Sequence, residues 1–114
     1  MSGPQLGRFE ELVLFALVSL EDNAYGASIR REIEARTGRD VSAGALYTVL
    51  GRLQQRGLVE SHVGEPLAER GGRRRKYYRL EPEGAALLRR SHDEFQRMAS
   101  GLAAKLPPLT EESA

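Results

Sequence analysis

Apolar residues recur at the three-to-four spacing of a single helix face near the start of the chain: Phe9, Leu12, Val13, Ala16, Leu17 and Leu20. The spacing predicts a helix over residues 8–20. Leu14, Phe15 and Val18 add a second apolar stripe. A helix that is apolar nearly all round wants burial on both sides. One side is met by its own domain, and the other is expected to belong to a partner subunit.

The stretch EDNAYGASIRREIEARTG predicts a second helix. Asp22 or Asn23 can cap its start, because their side-chain oxygens accept from free backbone N–H groups. Tyr25, Ile29 and Ile33 form its inward stripe, and Gly38 can take the left-handed conformation that ends a helix. A third helix follows in VSAGALYTVLGRLQQRG, with Ser42 as N-cap and Val41 and Leu46 placed as a hydrophobic staple. Leu46, Val49, Leu50 and Leu53 point inward. Gly44, Thr48, Gly51 and Gln55 lie opposite, flanked by Tyr47 and Arg52, and Gly57 stops the helix.

The alternation then changes period. LVESHV and RKYYRL read as two short strands, joined by GEPLAERGG into a hairpin with a long tip. On the second strand Tyr78 and Leu80 share one face, and Arg75, Tyr77 and Arg79 share the other. Pro82 opens a last helix expected to reach about Leu106, before Pro107 and Pro108. Along it Gly84, Leu88, Ser91, Phe95, Met98, Leu102 and Leu106 approximate a coiled-coil seam. The tail over residues 107–114 is expected to be disordered.

Helix, helix, a turn of about four residues, helix and basic hairpin is the order of a winged helix-turn-helix. The expected fold is mainly α, in the α+β class, with a two-stranded wing and a C-terminal dimerisation helix. Residues 6–80 would form the winged domain and residues 81–106 the dimerisation helix.

Charge sharpens this picture. The net charge is only +1, yet residues 39–79 hold nine Lys and Arg against four Asp and Glu, and the rest of the chain holds eight against twelve. GGRRRKYYRL, residues 71–80, concentrates five of those cations. Such asymmetry points to an anionic partner at the middle of the chain. The third helix would enter the major groove of double-stranded DNA. Its outer face carries no carboxylate, placing Ser42, Gly44, Thr48 and Arg52 nearest the bases. Tyr47, Arg73, Arg74, Arg75 and Lys76 would meet phosphates, arginine by its two-pronged donor geometry. Two readings stay open for some residues: Gly44 and Gly51 serve close approach to DNA or only helix packing, and Tyr47 is a contact or a core aromatic. An adaptor that keeps the fold without binding DNA is the alternative function. It would call for acidic residues on that outer face, and there are none.

The remaining composition narrows the class. The 114 residues include no cysteine, which excludes disulfides and thiolate chemistry. His62 and His92 are isolated, with no paired carboxylate at metal-ligand spacing. No nucleophile elbow or phosphate-binding glycine loop occurs. The expectation is a non-enzyme without metal or cofactor. No apolar run approaches a membrane span, and the N-terminus lacks the features of a signal peptide, so a cytoplasmic location is expected.

AYGASIRREIEARTGRDVSAGALYTVLGRLQQRGLVES followed by GGRRRKYYRLEPEGAALL closely resembles PadR-like transcriptional regulators, across about residues 6–106. The resemblance implies a homodimeric, usually repressing, DNA-binding winged helix. Its first and last helices would build the dimer interface, here Leu14, Phe15, Val18, Leu88, Ser91, Phe95, Met98, Leu102 and Leu106. It implies a backbone contact from Tyr47, wing contacts from Arg73, Arg74, Arg75 and Lys76, and in some members a planar aromatic effector. The chain departs from the pattern at Thr48, where many members have proline, and at Glu81, where threonine is common. Its C-terminal part is one helix, and no tryptophan is present to stack on a flat ligand. No effector is therefore named.

Overall fold

The computed structural model describes residues 5–109, and its elements follow the order the apolar pattern predicts. Helix α1 spans Arg8–Leu20, α2 Gly26–Thr37 and α3 Ala43–Gln55. Strands β1 (Val59–Pro66) and β2 (Arg74–Leu80) pair antiparallel, and α4 spans Pro82–Ala99.

Each boundary has a local cause. The Glu10 carboxylate accepts from the Gly7 N–H at 2.7 Å and secures the first turn of α1. Ser42 Oγ accepts from the Ala45 N–H at 3.1 Å, as its N-cap role requires. Gly38 ends α2 with φ 75°, and Gly57 follows α3 with φ 73°, both in the left-handed region.

The start of α2 differs from expectation. Asp22 and Asn23 lie in a separate 3₁₀ turn, Glu21–Asn23, and cap nothing in α2. Tyr25 holds the N-cap position, and its N–H donates to Ser28 Oγ at 2.9 Å. The reason is tertiary. The backbone at Ala24 and Tyr25 is extended because it adds to the sheet: the Tyr78 N–H donates to the Ala24 carbonyl at 2.9 Å, and Tyr25 bridges Tyr77. A helix begun at Asp22 would forfeit that pairing.

The core gathers the inward stripes. Val13, Leu14, Ile29, Leu46, Leu50 and Leu53 are fully enclosed, joined by Val59, Tyr78, Leu87 and Leu88. Register runs from Val59 opposite Leu80 to Val63 opposite Lys76, then shifts before Pro66 meets Arg74. The strands thus reach past the expected hairpin ends. The loop between them contains a 3₁₀ turn, Ala68–Arg70, closed where the Leu67 N–H donates to the Arg73 carbonyl at 3.2 Å.

The largest departure is at the C-terminus. Helix α4 is 18 residues long and stops at Ala99, not near Leu106. Gly101 takes φ 74°, a conformation that no helix can continue through. A 3₁₀ turn, Ala103–Lys105, follows, so Leu102 and Leu106 leave the helical seam. Residues 107–109 are exposed, and 110–114 of the expected disordered tail lie outside the described residues. No helix among the described residues is long and apolar enough to cross a membrane.

Candidate nucleic-acid interface

The outward face of α3 is open along its length. Ser42, Gly44, Tyr47, Thr48, Gly51, Arg52 and Gln55 are all exposed. A Cβ built on Gly44 or Gly51 would meet nothing within 4 Å, so neither glycine serves packing within this chain. The Thr48 hydroxyl donates to the Gly44 carbonyl at 3.0 Å, a back-bond that occupies its proton along the helix.

Tyr47 stands outside the buried core but leans on its own chain. Its side chain is 52% exposed, yet its hydroxyl sits over Gly26 at the first turn of α2. A Cβ at Gly26 would collide with that hydroxyl. The missing side chain of Gly26 therefore sets where the Tyr47 ring lies. Tyr78, behind it, is buried, and its phenol is pushed up from its ordinary range, first by burial and then by Tyr47.

The wing presents Arg73, Arg74 and Lys76 to solvent. Its tip is held by its own arginines: Arg73 Nε donates to the Arg70 carbonyl at 3.0 Å, and Arg70 Nη1 donates to the Arg74 carbonyl at 2.9 Å. Arg79 is partly neutralised across the strands by Glu60 at 3.0 Å. Arg75 is placed differently from its neighbours. It is half-buried, with its guanidinium carbon 3.8 Å from the centroid of the Tyr25 ring.

That contact belongs to a cluster the sequence reading missed. Arg31 Nη2 donates to the Tyr25 hydroxyl at 3.0 Å. Tyr77 meets Tyr25 edge-on at 5.8 Å, and His62 stacks on Tyr77 at 5.5 Å. Gly64 leaves the space that the Tyr77 ring fills. Alternation does place Arg75 and Tyr77 on one face, but it cannot show that Tyr25 covers that face. The available signal was an aromatic in each of two segments that the sheet brings together.

The proposed subunit interface divides. Leu14 is wholly enclosed by its own chain and Leu88 is buried, so both are core residues rather than partner contacts. Leu14 joins the core cluster, while Phe15 and Val18 of the same stripe do not. Ser91 is half-buried, and its Oγ donates to Glu11 Oε2 at 2.9 Å, registering α4 against α1. Phe15, Val18, Phe95, Met98, Leu102 and Leu106 stay exposed. Arg8 covers the Phe95 ring at 4.3 Å, and His92 meets Phe15 edge-on at 5.5 Å. Among the described residues no group of three His, Cys, Asp or Glu side chains could hold a metal ion.

Known proteins share this arrangement. The model of the transcriptional regulator PadR-like family matches residues 14–90. A PadR family transcription regulator from Clostridium difficile R20291 is 27% identical, covers 89% of this chain and 100% of its own, and superposes with a TM-score of 0.74. A second, from Eggerthella lenta, is 30% identical over 90% of this chain and 87% of its own, with a TM-score of 0.67. A PadR-like regulator from Bacillus cereus, 23% identical over 89% of this chain and 93% of its own, shares the fold with a TM-score of 0.71. No curated protein matches the chain.

Proposed function

Because this chain belongs to the PadR-like family of transcriptional regulators, we propose that it is a homodimeric, sequence-specific DNA-binding repressor of the cytoplasm. One observation carries the reading. The carboxylate-free outer face of α3 stands beside a hairpin whose exposed residues include Arg73, Arg74 and Lys76. A groove-reading helix needs that open face, and the phosphate chain beside it needs those cations.

Two copies would pair through Phe15, Val18, Phe95 and Met98, which a single chain leaves exposed. Leu102 and Leu106 would extend the contact from the turn after α4. The two copies of α3 would then sit about 34 Å apart and read an inverted repeat on one side of the duplex. Arg52 and Thr48 address base edges. Tyr47, Arg73, Arg74 and Lys76 address phosphates, which supply most of the affinity. With roughly three to four phosphate contacts per subunit, log K against log salt falls with a slope near −5 to −7.

Selection of bound duplexes from a random pool tests the reading. The expected result is a two-fold symmetric site with half-sites one helical turn apart. Recovery of unselected sequence, or no binding at low salt, rejects it in favour of a protein-binding adaptor.

A further inference from the structure

We propose that Tyr25 holds Arg31 and Arg75 as a two-guanidinium clamp for the phosphate backbone, at the junction of α2 and the wing. The proposal rests on the reading of this chain as a DNA-binding protein; to the phosphate contact expected of Arg75 it adds Arg31 and the positioning of both by Tyr25.

Tyr25 engages both arginines, and the Arg31 guanidinium carbon lies 5.8 Å from its ring centroid. The hydroxyl accepts from Arg31 Nη2 at 3.0 Å, and the ring face carries the Arg75 guanidinium at 3.8 Å. Among the described residues neither arginine takes part in an ion pair. Two cations gathered on one neutral ring repel each other. An anion between them relieves that repulsion, and a phosphate oxygen is the acceptor that guanidinium donors suit best. Holding both side chains in advance also reduces the ordering cost of binding.

The position is continuous with the proposed interface. Tyr25 immediately precedes Gly26, over which the Tyr47 hydroxyl lies. Tyr77, edge-on to Tyr25, lies in β2, the strand that begins at the arginine run. The duplex strand that met Tyr47 and the wing would pass this cluster. Arg31 and Arg75 are thus contact residues, and Tyr25 is a positioning residue that acts through them.

Binding of a generic duplex of about 30 base pairs, titrated with salt, tests the clamp without knowledge of the operator. Each lost phosphate contact occurs twice in a dimer, so Arg31→Gln and Arg75→Gln should each flatten the slope by about 2. Tyr25→Leu should flatten it by more than either, although it removes no charge. Tyr25→Phe keeps the ring and should resemble Arg31→Gln alone. Arg89→Gln, on α4 and paired with Asp93, should leave the slope unchanged. Circular dichroism and dimer mass establish that each variant is folded; if Tyr25→Leu is not, the two arginine variants and Tyr25→Phe decide. Wild-type binding whose slope survives these changes overturns the clamp alone, as does equal flattening by Arg89→Gln. A wild-type chain that ignores duplex DNA overturns the DNA-binding reading, and the clamp falls with it.

Discussion

The Tyr47 hydroxyl lies over Gly26, in space that a single methyl group at that residue would fill. The relationship ties the reading helix to the start of α2. Because Tyr47 is half-exposed, its ring can swing outward when displaced. Gly26→Ala should therefore cost under about 1 kcal/mol of stability, partly offset by the better helix propensity of alanine. DNA affinity should fall several-fold, since Tyr47 no longer points where it did. In a Tyr47→Ala background the same change should have no further effect on affinity. A double-mutant cycle by fluorescence anisotropy reads that coupling.

Gly84 makes the opposite kind of approach. Its missing Cβ faces the Leu58 backbone carbonyl and the Leu80 side chain, and backbone cannot swing aside. Gly84→Ala should destabilise by about 2–3 kcal/mol, the upper part of the range of core overpacking. Urea denaturation would show a lowered midpoint, and an unchanged one would contradict the packing described at this junction.

Phe95 and Met98 protrude from α4, and Phe15 from α1, although a 114-residue chain has little apolar surface to spare. Phe95→Glu should weaken dimerisation by about 100-fold, the scale of a hot-spot residue. Sedimentation would then show a monomer at micromolar concentration. Leu14→Ala should instead lower stability without this selective loss of association, because Leu14 lies in the core.

Selectivity should reside more in Arg52 than in Thr48. The Thr48 hydroxyl already donates to Gly44, whereas Arg52 is exposed and in no ion pair among the described residues. Arg52→Gln should change the preferred base at one position per half-site, worth about 1–3 kcal/mol. Thr48→Val should shift preference less. Repeating the random-pool selection with each variant distinguishes them.

Glu81 caps α4 with no side-chain hydrogen bond to the backbone. Its carboxyl is raised above the ordinary range, first by a hydrogen bond with Glu60, then by burial and repulsion. The same hydrogen bond, then Arg79, lowers Glu60. A raised acid stabilises the fold while protonated, and that contribution is lost as pH rises through its folded value. Once both carboxylates are charged they oppose each other. Glu81→Thr should then raise the thermal midpoint by a few degrees, since threonine also caps. The gain should shrink on acidification, as the wild-type Glu81 regains its proton. A gain that grows on acidification would contradict this sign.

Local residue pattern suffices for the elements and their order. Spacing placed Val13, Ile29, Leu46 and Leu50 inside, Ser42 at a cap, and Gly38 and Gly57 at helix ends, because those preferences act within a few residues. It also set the arginine-rich hairpin after the third helix. Tertiary structure decided what those rules cannot see. Ala24 and Tyr25 are extended rather than helical because β2 offers them backbone partners from over fifty residues away. Leu14 is enclosed while Phe15 and Val18 of the same apolar stripe stay exposed, a division that spacing cannot show. Arg75 rests on Tyr25 instead of reaching outward with Arg74, because sheet pairing brings the two segments together. Helix α4 ends at Ala99 where Gly101 turns the backbone, though the apolar spacing runs on to Leu106. Periodicity records which residues prefer burial, and only the packed chain settles which neighbour buries them.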